Sequence, residues 1–374
     1  MTLTEAFAGL PDPRTGPAQR HDLREMIVMA LCAVLCGADT WVDVAEWAED
    51  NKEWLKKYLV LANGTPSHDT FGRVFRILDA RVFEASFRQW ISGLVGIVDG
   101  VVAIDGKTAR GSKDGQSTAL HTLTAYATAR GLCLGQEGTR GKGNEIPAIK
   151  ALLDTLYLRG CIVTIDAMGC QTEIAQKIVD QGGDYLLAVK DNQEKLANAL
   201  REFFADGAAN GFGKLPVSTF STVEKDHGRI ETRQALWVTN LSWLDKPIRE
   251  HWPKLAGVGM IERIREINGK PSTEQAFYIG AKGIVDAESF AKAVRSHWGI
   301  ENSLHWVLDV TFREDECRVR KGHAPQNFSA LRKLALALLR TDQTYPKRSL
   351  RSRRKTAERI PDYRASLLKL VPRG

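Results

Sequence analysis

The order of strands and helices after Val101 restricts the fold of this chain more than any other feature of the sequence. The apolar run at 101–104 predicts a buried strand, and Arg130-Gly131 marks a hairpin between two β-rich runs. Helical and extended patterns then alternate. The further predicted elements are strands at 121–129 and 132–137, a helix at 146–156, a strand at 161–165, a helix near 172–181 and a strand at 185–189.

A meander of three strands followed by helix, strand, helix and strand is the order of a ribonuclease-H-like α/β core. In such a core the first and fourth strands lie side by side. Asp105 follows the first predicted strand and Asp166 follows the fourth, so we expect the two carboxylates to be neighbours although they are distant in sequence. Gly106 is expected to end the first strand directly after Asp105.

A third acid, Glu301, stands on a predicted helix where an apolar residue is expected. At about 100° per residue it falls in the middle of one helical face. The other members of that face are Val294, His297, Leu304, His305, Leu308 and Phe312. A carboxylate among apolar groups needs a compensating positive charge. For one acid, an ion pair with a core arginine is the simpler explanation, but three acids, Asp105, Asp166 and Glu301, favour a metal site.

Three such carboxylates suit magnesium, which prefers oxygen ligands and keeps part of its water shell. Two ions about 4 Å apart stabilise the attacking and leaving oxygens of a displacement at phosphorus. Lys107, Arg110 and Lys190 are the cations expected to position the nucleic-acid strand. The residues themselves therefore indicate metal-dependent phosphodiester chemistry on DNA or RNA.

Charge and cysteine usage narrow the class of protein. The formal charge of +7 and the pI near 9.0 favour a polyanionic partner. Six cysteines without a C-x-x-C pair fit a reducing compartment and argue against structural zinc. The longest apolar stretch near the N-terminus, residues 26–38, is shorter than the roughly 20 residues that span a bilayer, so we expect a cytoplasmic protein without a membrane segment.

One motif resembles a nucleotide-binding loop but lacks its geometry. Gly106, Lys107 and Thr108 match the end of a phosphate-cradling loop, which needs a glycine five places earlier. Val101 occupies that place, and a strand stands where the loop is required. Nucleotide hydrolysis is therefore disfavoured.

The pattern divides the chain into a helical N-terminal domain (1–95), the catalytic core (96–205 and 285–340), a β-rich insertion (206–284) and a basic tail (341–374). In the first domain, Arg73 and Arg76 lie three residues apart after a turn, as in a helix-turn-helix, and the alternative is a capped helix with solvated arginines. His227, Arg229 and Arg233 cluster at the first hairpin of the insertion, where charge also serves solubility alone.

The basic tail is predicted to be a flexible, solvated arm that adds phosphate affinity. Its charge is concentrated at 347–355, KRSLRSRRK. The final residues 370–374, LVPRG, resemble the remnant of a protease-cleavable tag.

The segments around the three acids also carry a resemblance to a known family. AIDGKTARGS around Asp105, VTIDAMGCQ around Asp166 and HWGIENSLHWVLDVTFREDECRVRKG around Glu301 resemble the catalytic motifs of DDE insertion-sequence transposases, in particular the H-repeat-associated proteins of Rhs elements. The resemblance covers nearly the whole chain. It implies that the three acids bind two Mg²⁺ ions, with Mn²⁺ as a substitute, and that the protein cuts and joins DNA.

The same resemblance implies the partners. They are the terminal inverted repeats of a transposon, target DNA, and a second copy of the chain when two ends are synapsed in the bacterial cytoplasm at the nucleoid. The candidate DNA contacts are Arg73, Arg76, Lys107, Arg110, Lys190, Asn192, Arg229, Arg233, Arg295, His297, Trp298, Asn302, Arg318 and Arg320.

This chain departs from the family pattern at two places. Many related transposases carry Tyr and Arg before the glutamate and Lys after it, whereas His297 holds the arginine position and Leu308 the lysine position. Arg295 and Trp298 are expected to substitute. Three alternatives stay open: a nuclease of the same fold that only hydrolyses, a DNA-binding protein without activity, and an unrelated carboxylate hydrolase, which would leave the positive charge unexplained.

Overall fold

Helices form the N-terminal part of the chain in the computed structural model, which describes residues 3–95, 98–115, 118–140, 142–226, 229–267 and 270–373. They are α1 (Leu3–Ala6), α2 (Leu23–Cys36), α3 (Trp41–Asp50), α4 (Lys52–Leu55), α5 (His68–Ile77) and α6 (Ala80–Val95). Ser67 caps α5, since its Oγ accepts a hydrogen bond from the Thr70 N–H at 3.4 Å. Within the described ranges, no single helix has the length and hydropathy of a membrane span, and α2 with α3 meets these criteria only as a pair bent by 99°.

The middle of the chain forms the sheet. Its elements are β1 (Gly100–Ala109), β2 (Leu120–Ala127), β3 (Leu132–Arg140), α7 (Glu145–Leu153), β4 (Cys161–Ile165), α8 (Thr172–Asp180), β5 (Asp184–Val189), α9 (Glu194–Asn210), β6 (Val217–Asp226), β7 (Arg229–Val238), α10 (Lys246–His251), β8 (Gly257–Ile267) and β9 (Lys270–Gly280). The strand order is β3-β2-β1-β4-β5-β9-β8-β7-β6. The β1–β4 and β4–β5 pairs are parallel, which confirms that the first and fourth strands are neighbours.

The predicted end of the first strand is wrong. β1 continues through Gly106 to Ala109 because β2 keeps pairing with it there, with Gly106 opposite Leu123 and Lys107 opposite Thr122. Gly106 is required for a different reason. A Cβ at this position would lie 2.5 Å from Nε2 of the buried His121, so the absent side chain makes room for that ring.

The strands predicted as a β-rich insertion extend the same sheet. β9 pairs antiparallel with β5, and β8, β7 and β6 follow it outward. The first five residues of β8 are buried and its last residues are exposed, so only the near half of this extension contributes to the core. The far half projects as a ribbon beside the helix that carries Glu301.

The C-terminal helices are α11 (Ala287–Ile300), a π-helical segment (Glu301–His305), α12 (Trp306–Val310), α13 (Ala324–Thr341), α14 (Leu350–Arg359) and α15 (Pro361–Leu368). α13 shares one apolar core with α2 and α6, in which Leu331, Leu334 and Leu31 are fully buried. The N-terminal helices are therefore completed by the C-terminal ones, which the linear division into domains does not anticipate.

The prediction that the tail is a flexible basic arm is wrong, because residues 350–368 form two packed helices. Arg353, Arg354 and Arg364 are buried rather than solvated. The Arg354 guanidinium donates to the Val34 carbonyl at the end of α2, at 2.8 Å from Nη2. Within the segment that resembles a tag remnant, the Arg373 N–H donates to the Lys57 carbonyl at 2.7 Å.

Glu84 on α6 makes stability depend on pH. The side chain is 2% exposed, and one carboxyl oxygen accepts the Gln136 N–H at 3.0 Å. Burial raises the pKa of Glu84 to about 7, against the opposing charges of Arg88 and Lys333. The folded state therefore holds a proton that the unfolded state releases near pH 4.5. Stability from this proton is complete below that pH and is lost as the pH rises through about 7.

We expect Glu84→Gln to remove this dependence. Between pH 5 and pH 8 the wild-type chain should lose about 3 kcal/mol of unfolding free energy relative to the variant. Urea unfolding of both chains at the two pH values measures the difference. Glu46→Gln, a change at an exposed acid on α3, is the control and should show no such divergence. Parallel curves for wild type and Glu84→Gln would mean that Glu84 does not hold its proton in the folded state.

Candidate active site

Two acids meet at the centre of the sheet, where β4 ends. In the parallel pair of β1 and β4, Ile104 is opposite Ile165. Asp105 and Asp166 are the next residues, so they leave the strand pair side by side. The expected neighbourhood of these two acids is confirmed.

Local hydrogen bonds orient both carboxylates. Asp105 is 21% exposed at its side chain, and its Oδ1 accepts the Gly106 N–H at 2.8 Å. Asp166 is exposed and caps the short 3₁₀ helix that follows β4, accepting the Gly169 N–H at 3.4 Å. Asn192 Nδ2 donates to the Ala167 carbonyl at 2.8 Å, which ties the turn after Asp166 to the loop after β5.

Glu301 reaches the same place from the end of α11. Its Oε2 lies 3.2 Å from Nδ1 of His305, and that nitrogen lies 3.7 Å from Oδ2 of Asp105. One ligand atom from each of Asp105, Glu301 and His305 can be chosen so that all three lie within 4.8 Å of one another. The strand acid and the helix acid therefore share one small volume with a histidine.

The predicted apolar face around Glu301 is wrong, because the helix is not regular there. Residues 301–305 form a π-helical turn, in which the Trp306 N–H donates to the Glu301 carbonyl. Upstream, Val294 and His297 border the cavity with Glu301, whereas Leu304 in the turn and Leu308 beyond it belong to the core around α2. Glu301 is consequently 54% exposed at its side chain instead of lying among apolar groups.

The charges at the site are not balanced by cations of the protein. Among the described residues, none of the three acids forms an ion pair with an arginine or lysine, so the alternative of a core arginine partner is not what this structure shows. Burial raises the pKa of Asp105, and Glu301 and Asp166 raise it further, while His305 and the Gly106 N–H act in the opposite direction. Burial lowers the pKa of His297, whose Nδ1 lies 3.0 Å from Oγ1 of Thr164.

The acids open into a cavity of about 500 Å³. Its polar wall includes Lys190, Arg201, Arg263 and Trp298. Clustered carboxylates without a cation repel each other, and oxygen donors at this spacing are the set that a hard divalent ion requires. Asp105 and Glu301 thus fit a divalent metal site by donor type, spacing and uncompensated charge, and Asp166 lines the same cavity beside Asp105.

Lys107 and Arg110, two of the cations expected at the DNA strand, are not among the residues that line this cavity. Lys107 is 11% exposed, and its Nζ contacts Asp309 at 2.7 Å, Asp315 at 3.2 Å and Glu314 at 3.3 Å. Its charge is thereby neutralised by acids of the protein, which disfavours Lys107 as a DNA contact. Arg110 is 85% exposed and touches only the edge of this acid cluster, with Nε 3.5 Å from Asp315.

Four of the candidate DNA contacts form one basic groove. Arg73 and Arg76 on α5 face the segment that carries Arg318 and Arg320 across a groove of about 590 Å³, which also includes Lys321. The two sides are fixed to each other, because the His323 N–H donates to the Arg76 carbonyl at 3.0 Å. Sequence separation hides this arrangement, since the two sides lie at opposite ends of the chain.

Other candidates line a second cleft of about 620 Å³ between α11 and the β6–β8 ribbon. Arg233 and Arg295 both contact Glu224 there, at 2.9 and 2.8 Å, and Trp298 and Asn302 are exposed at its edge. His227 and the side chain of Arg229 lie outside the described residues, so the proposed cluster at that hairpin tip is not assessed.

Sequence reasoning missed His305 as a member of the site. Its spacing of four residues from Glu301 was the available signal, since residues i and i+4 are neighbours on a helix. It also missed Arg201 and Arg263, which reach the cavity from α9 and β8. Their positions depend on the pairing of distant elements and leave no local pattern.

Comparisons with known proteins agree with the motifs. A family model described as "Transposase DDE domain" matches residues 72–338, and one described as "DDE_Tnp_1-associated" matches residues 4–91. "Putative transposase YncI" of Escherichia coli O157:H7 is 40% identical over 96% of this chain and 92% of its own length. "H repeat-associated putative transposase YhhI" of Escherichia coli strain K12 is 37% identical over 98% and 97%.

A solved piggyBac transposase synaptic complex with hairpin DNA aligns with a TM-score of 0.42 at 10% identity, covering 98% of this chain and 76% of that chain. A likeness this distant supports no further statement about the present chain. The sequence matches are sufficient without it, because the first model covers more than half of the residues. The chain therefore belongs to the family of transposases with a DDE domain, as the motifs around Asp105, Asp166 and Glu301 predicted.

Proposed function

We propose that the protein is a DNA transposase that cleaves the ends of an insertion sequence and joins them to target DNA. The observation that carries this proposal is the convergence of Asp105, Asp166 and Glu301 from two parallel strands and a distant helix. We assign β1–β5 with their flanking helices to a ribonuclease-H-like core, in which β6–β9 form an insertion that extends the sheet.

Asp105, Asp166 and Glu301 would hold two Mg²⁺ ions, with Mn²⁺ as a substitute. When bound, such ions stabilise the charge on the attacking and leaving oxygens at phosphorus. The remaining residues of the cavity would position the DNA. Lys190 is exposed at its wall and suits a phosphate oxygen, and Asn192 holds the turn that presents Asp166.

Strand transfer separates this proposal from a nuclease of the same fold. The full chain is incubated in Mg²⁺ with DNA ends that already carry a free 3′-hydroxyl, together with target DNA. We expect a joined product, because the same site that exposes phosphorus to water also accepts a 3′-hydroxyl as the nucleophile. Hydrolysis without joining would favour the nuclease, and no metal-dependent cleavage or joining would favour a DNA-binding protein without activity.

The basic groove is proposed to bind the backbone of the end DNA. Arg73, Arg76, Arg318, Arg320 and Lys321 place five cations around one groove, with Asp69 and Asp114 as the acids of its lining. This excess of positive charge suits phosphates, which provide most of the salt-dependent affinity of such complexes. We further propose that two copies of the chain bind the two inverted repeats during synapsis, in the bacterial cytoplasm at the nucleoid.

The double change Arg73→Ala and Arg76→Ala tests the groove. We expect binding of end DNA to weaken about 10-fold at moderate salt, and the slope of log affinity against log salt to fall by about 0.9 per lost phosphate contact. Electrophoretic mobility shifts at several salt concentrations measure both quantities. Arg130→Ala with Lys246→Ala removes the same charge at two exposed sites outside the groove and should change the slope little. Equal slopes for the two double variants would exclude the groove as a DNA contact.

A further inference from the structure

We propose that His305 supplies a nitrogen ligand, together with Asp105 and Glu301, to one divalent ion of the proposed active site, which gives that position a preference for Mn²⁺ over Mg²⁺. This inference rests on the proposed function, because it concerns the same site. It assigns a fourth ligand residue to a metal site that the three carboxylates could form alone.

The spacing of the donor atoms supports a shared ion. Ligands at adjacent positions of an octahedral ion, each about 2.1 Å from it, lie about 3 Å apart. Nδ1 of His305 is 3.2 Å from Oε2 of Glu301 and 3.7 Å from Oδ2 of Asp105. These two distances are close to the required spacing, so small side-chain rotations would bring the three donors to one centre.

The histidine ring is held in place by its surroundings. His305 is 5% exposed, between Leu304 and Leu308 of the α2 core in sequence. On its other edge, Nε2 is buried and has no hydrogen-bond partner within the described part of the chain. Nothing on that side draws the ring away, and the polar contacts of Nδ1 are the two carboxylates.

The π-helical turn supports the same reading. It spans Glu301 to His305, so the two proposed ligands are its first and last residues. π-helical turns are rare and occur often at functional sites, because they are less favourable than regular helix and persist where the geometry is needed. Here the turn lets Glu301 face the cavity while His305 remains anchored in the core.

The donor set has a consequence for metal choice. Magnesium prefers oxygen ligands, whereas imidazole nitrogen is a ligand of first-row transition ions. A position with two carboxylates and one imidazole should therefore bind Mn²⁺ more tightly than a position formed by oxygen alone. We expect the dissociation constant of Mn²⁺ from the full chain to be at least about 10-fold lower than that of Mg²⁺. His305→Gln should weaken Mn²⁺ binding about 10-fold.

The alternative role for His305 is orientation only. In that case Nδ1–H donates a hydrogen bond to Glu301 and never contacts the ion. Both roles predict a loss of activity when His305 is changed, so activity does not separate them. A direct reading of the atoms bonded to the ion does.

Electron paramagnetic resonance of Mn²⁺ bound to the full chain provides that reading, with pulsed detection of coupling to ¹⁴N. We expect nitrogen coupling in the wild type, its loss in His305→Gln and in His305→Asn, and its retention in His297→Gln, which changes a histidine of the cavity wall. The second His305 variant guards against a folding defect in the first, and circular dichroism checks each chain.

The outcomes are distinct. Nitrogen coupling that depends on His305 supports the inference. Bound Mn²⁺ without nitrogen coupling, or coupling that survives both His305 variants, overturns it and leaves a carboxylate site as proposed above. Failure of Mn²⁺ to displace Mg²⁺ at millimolar concentration also overturns this inference but leaves the proposed Mg²⁺ site, whereas binding of neither ion to the full chain overturns both.

Discussion

Asp105→Asn, Asp166→Asn and Glu301→Gln are each expected to reduce cleavage of end DNA in Mg²⁺ by at least about 100-fold, because each removes an interaction with charge that develops in the transition state. The amides keep the size and shape of the side chains but lose the negative charge that a hard divalent ion requires. The cluster is otherwise uncompensated by cations of the protein, so the neutral variants should fold as well as the wild type.

Binding must be measured beside cleavage in these variants. We expect affinity for end DNA, without metal, to stay within a few-fold of the wild type, since the basic groove lies on α5 and the 318–321 segment. Asp99→Asn, at an exposed acid just before β1, is the matched control and should cleave normally. Substantial cleavage by any of the three active-site variants would exclude that acid from the chemistry.

Arg364→Ala is expected to destabilise the protein by about 3–5 kcal/mol. The substitution removes a buried charged donor and leaves its acceptors without a hydrogen bond. Arg364 is 1% exposed. Its guanidinium lies 4.0 Å from the ring centroid of Trp54 and 5.0 Å from that of Trp47. It also donates to Oδ1 of Asn51 at 3.0 Å. Arg364 thus links α15 to the N-terminal helices, beside the apolar packing of Tyr363, Leu367 and Leu368 in the same core.

Urea unfolding measures this loss, with two informative comparisons. Arg364→Lys keeps a charge but lacks the planar group that stacks on tryptophan, so an intermediate loss is expected. Arg359→Ala changes an exposed arginine on α14 and should cost less than about 0.5 kcal/mol. If Arg364→Ala unfolds like Arg359→Ala, the tail is a solvated arm, as its charge run alone suggests.

The sequence allowed the two strand acids to be placed correctly, because the β-branched runs before Asp105 and Asp166 identify their strands and the order of elements makes those strands neighbours. It also predicted Glu301 near them, and the structure places Glu301 beside Asp105 and His305. The surroundings of Glu301 could not be derived, because a helical wheel assumes regular spacing and the π-helical turn has no signature in residue spacing.

Charged residues were the least predictable part. Lys107 follows Asp105 closely and looks free, but its three acidic partners lie at 309–315, a contact that only the tertiary fold creates. The tail arginines are expected to be solvated because the tail is rich in charge. Arg364 is buried instead, with its guanidinium stacked over the rings of Trp47 and Trp54. Local charge does not reveal where a cation finds its partner.

Anomalous diffraction from crystals of the full chain with pre-cleaved end DNA and Mn²⁺ tests the central claim most directly. Anomalous peaks are expected within coordination distance of the carboxylates of Asp105, Asp166 and Glu301, next to the phosphorus that is cut or joined. Peaks confined to other places, with these three carboxylates free of metal and distant from the scissile phosphate, would contradict the assignment of the active site.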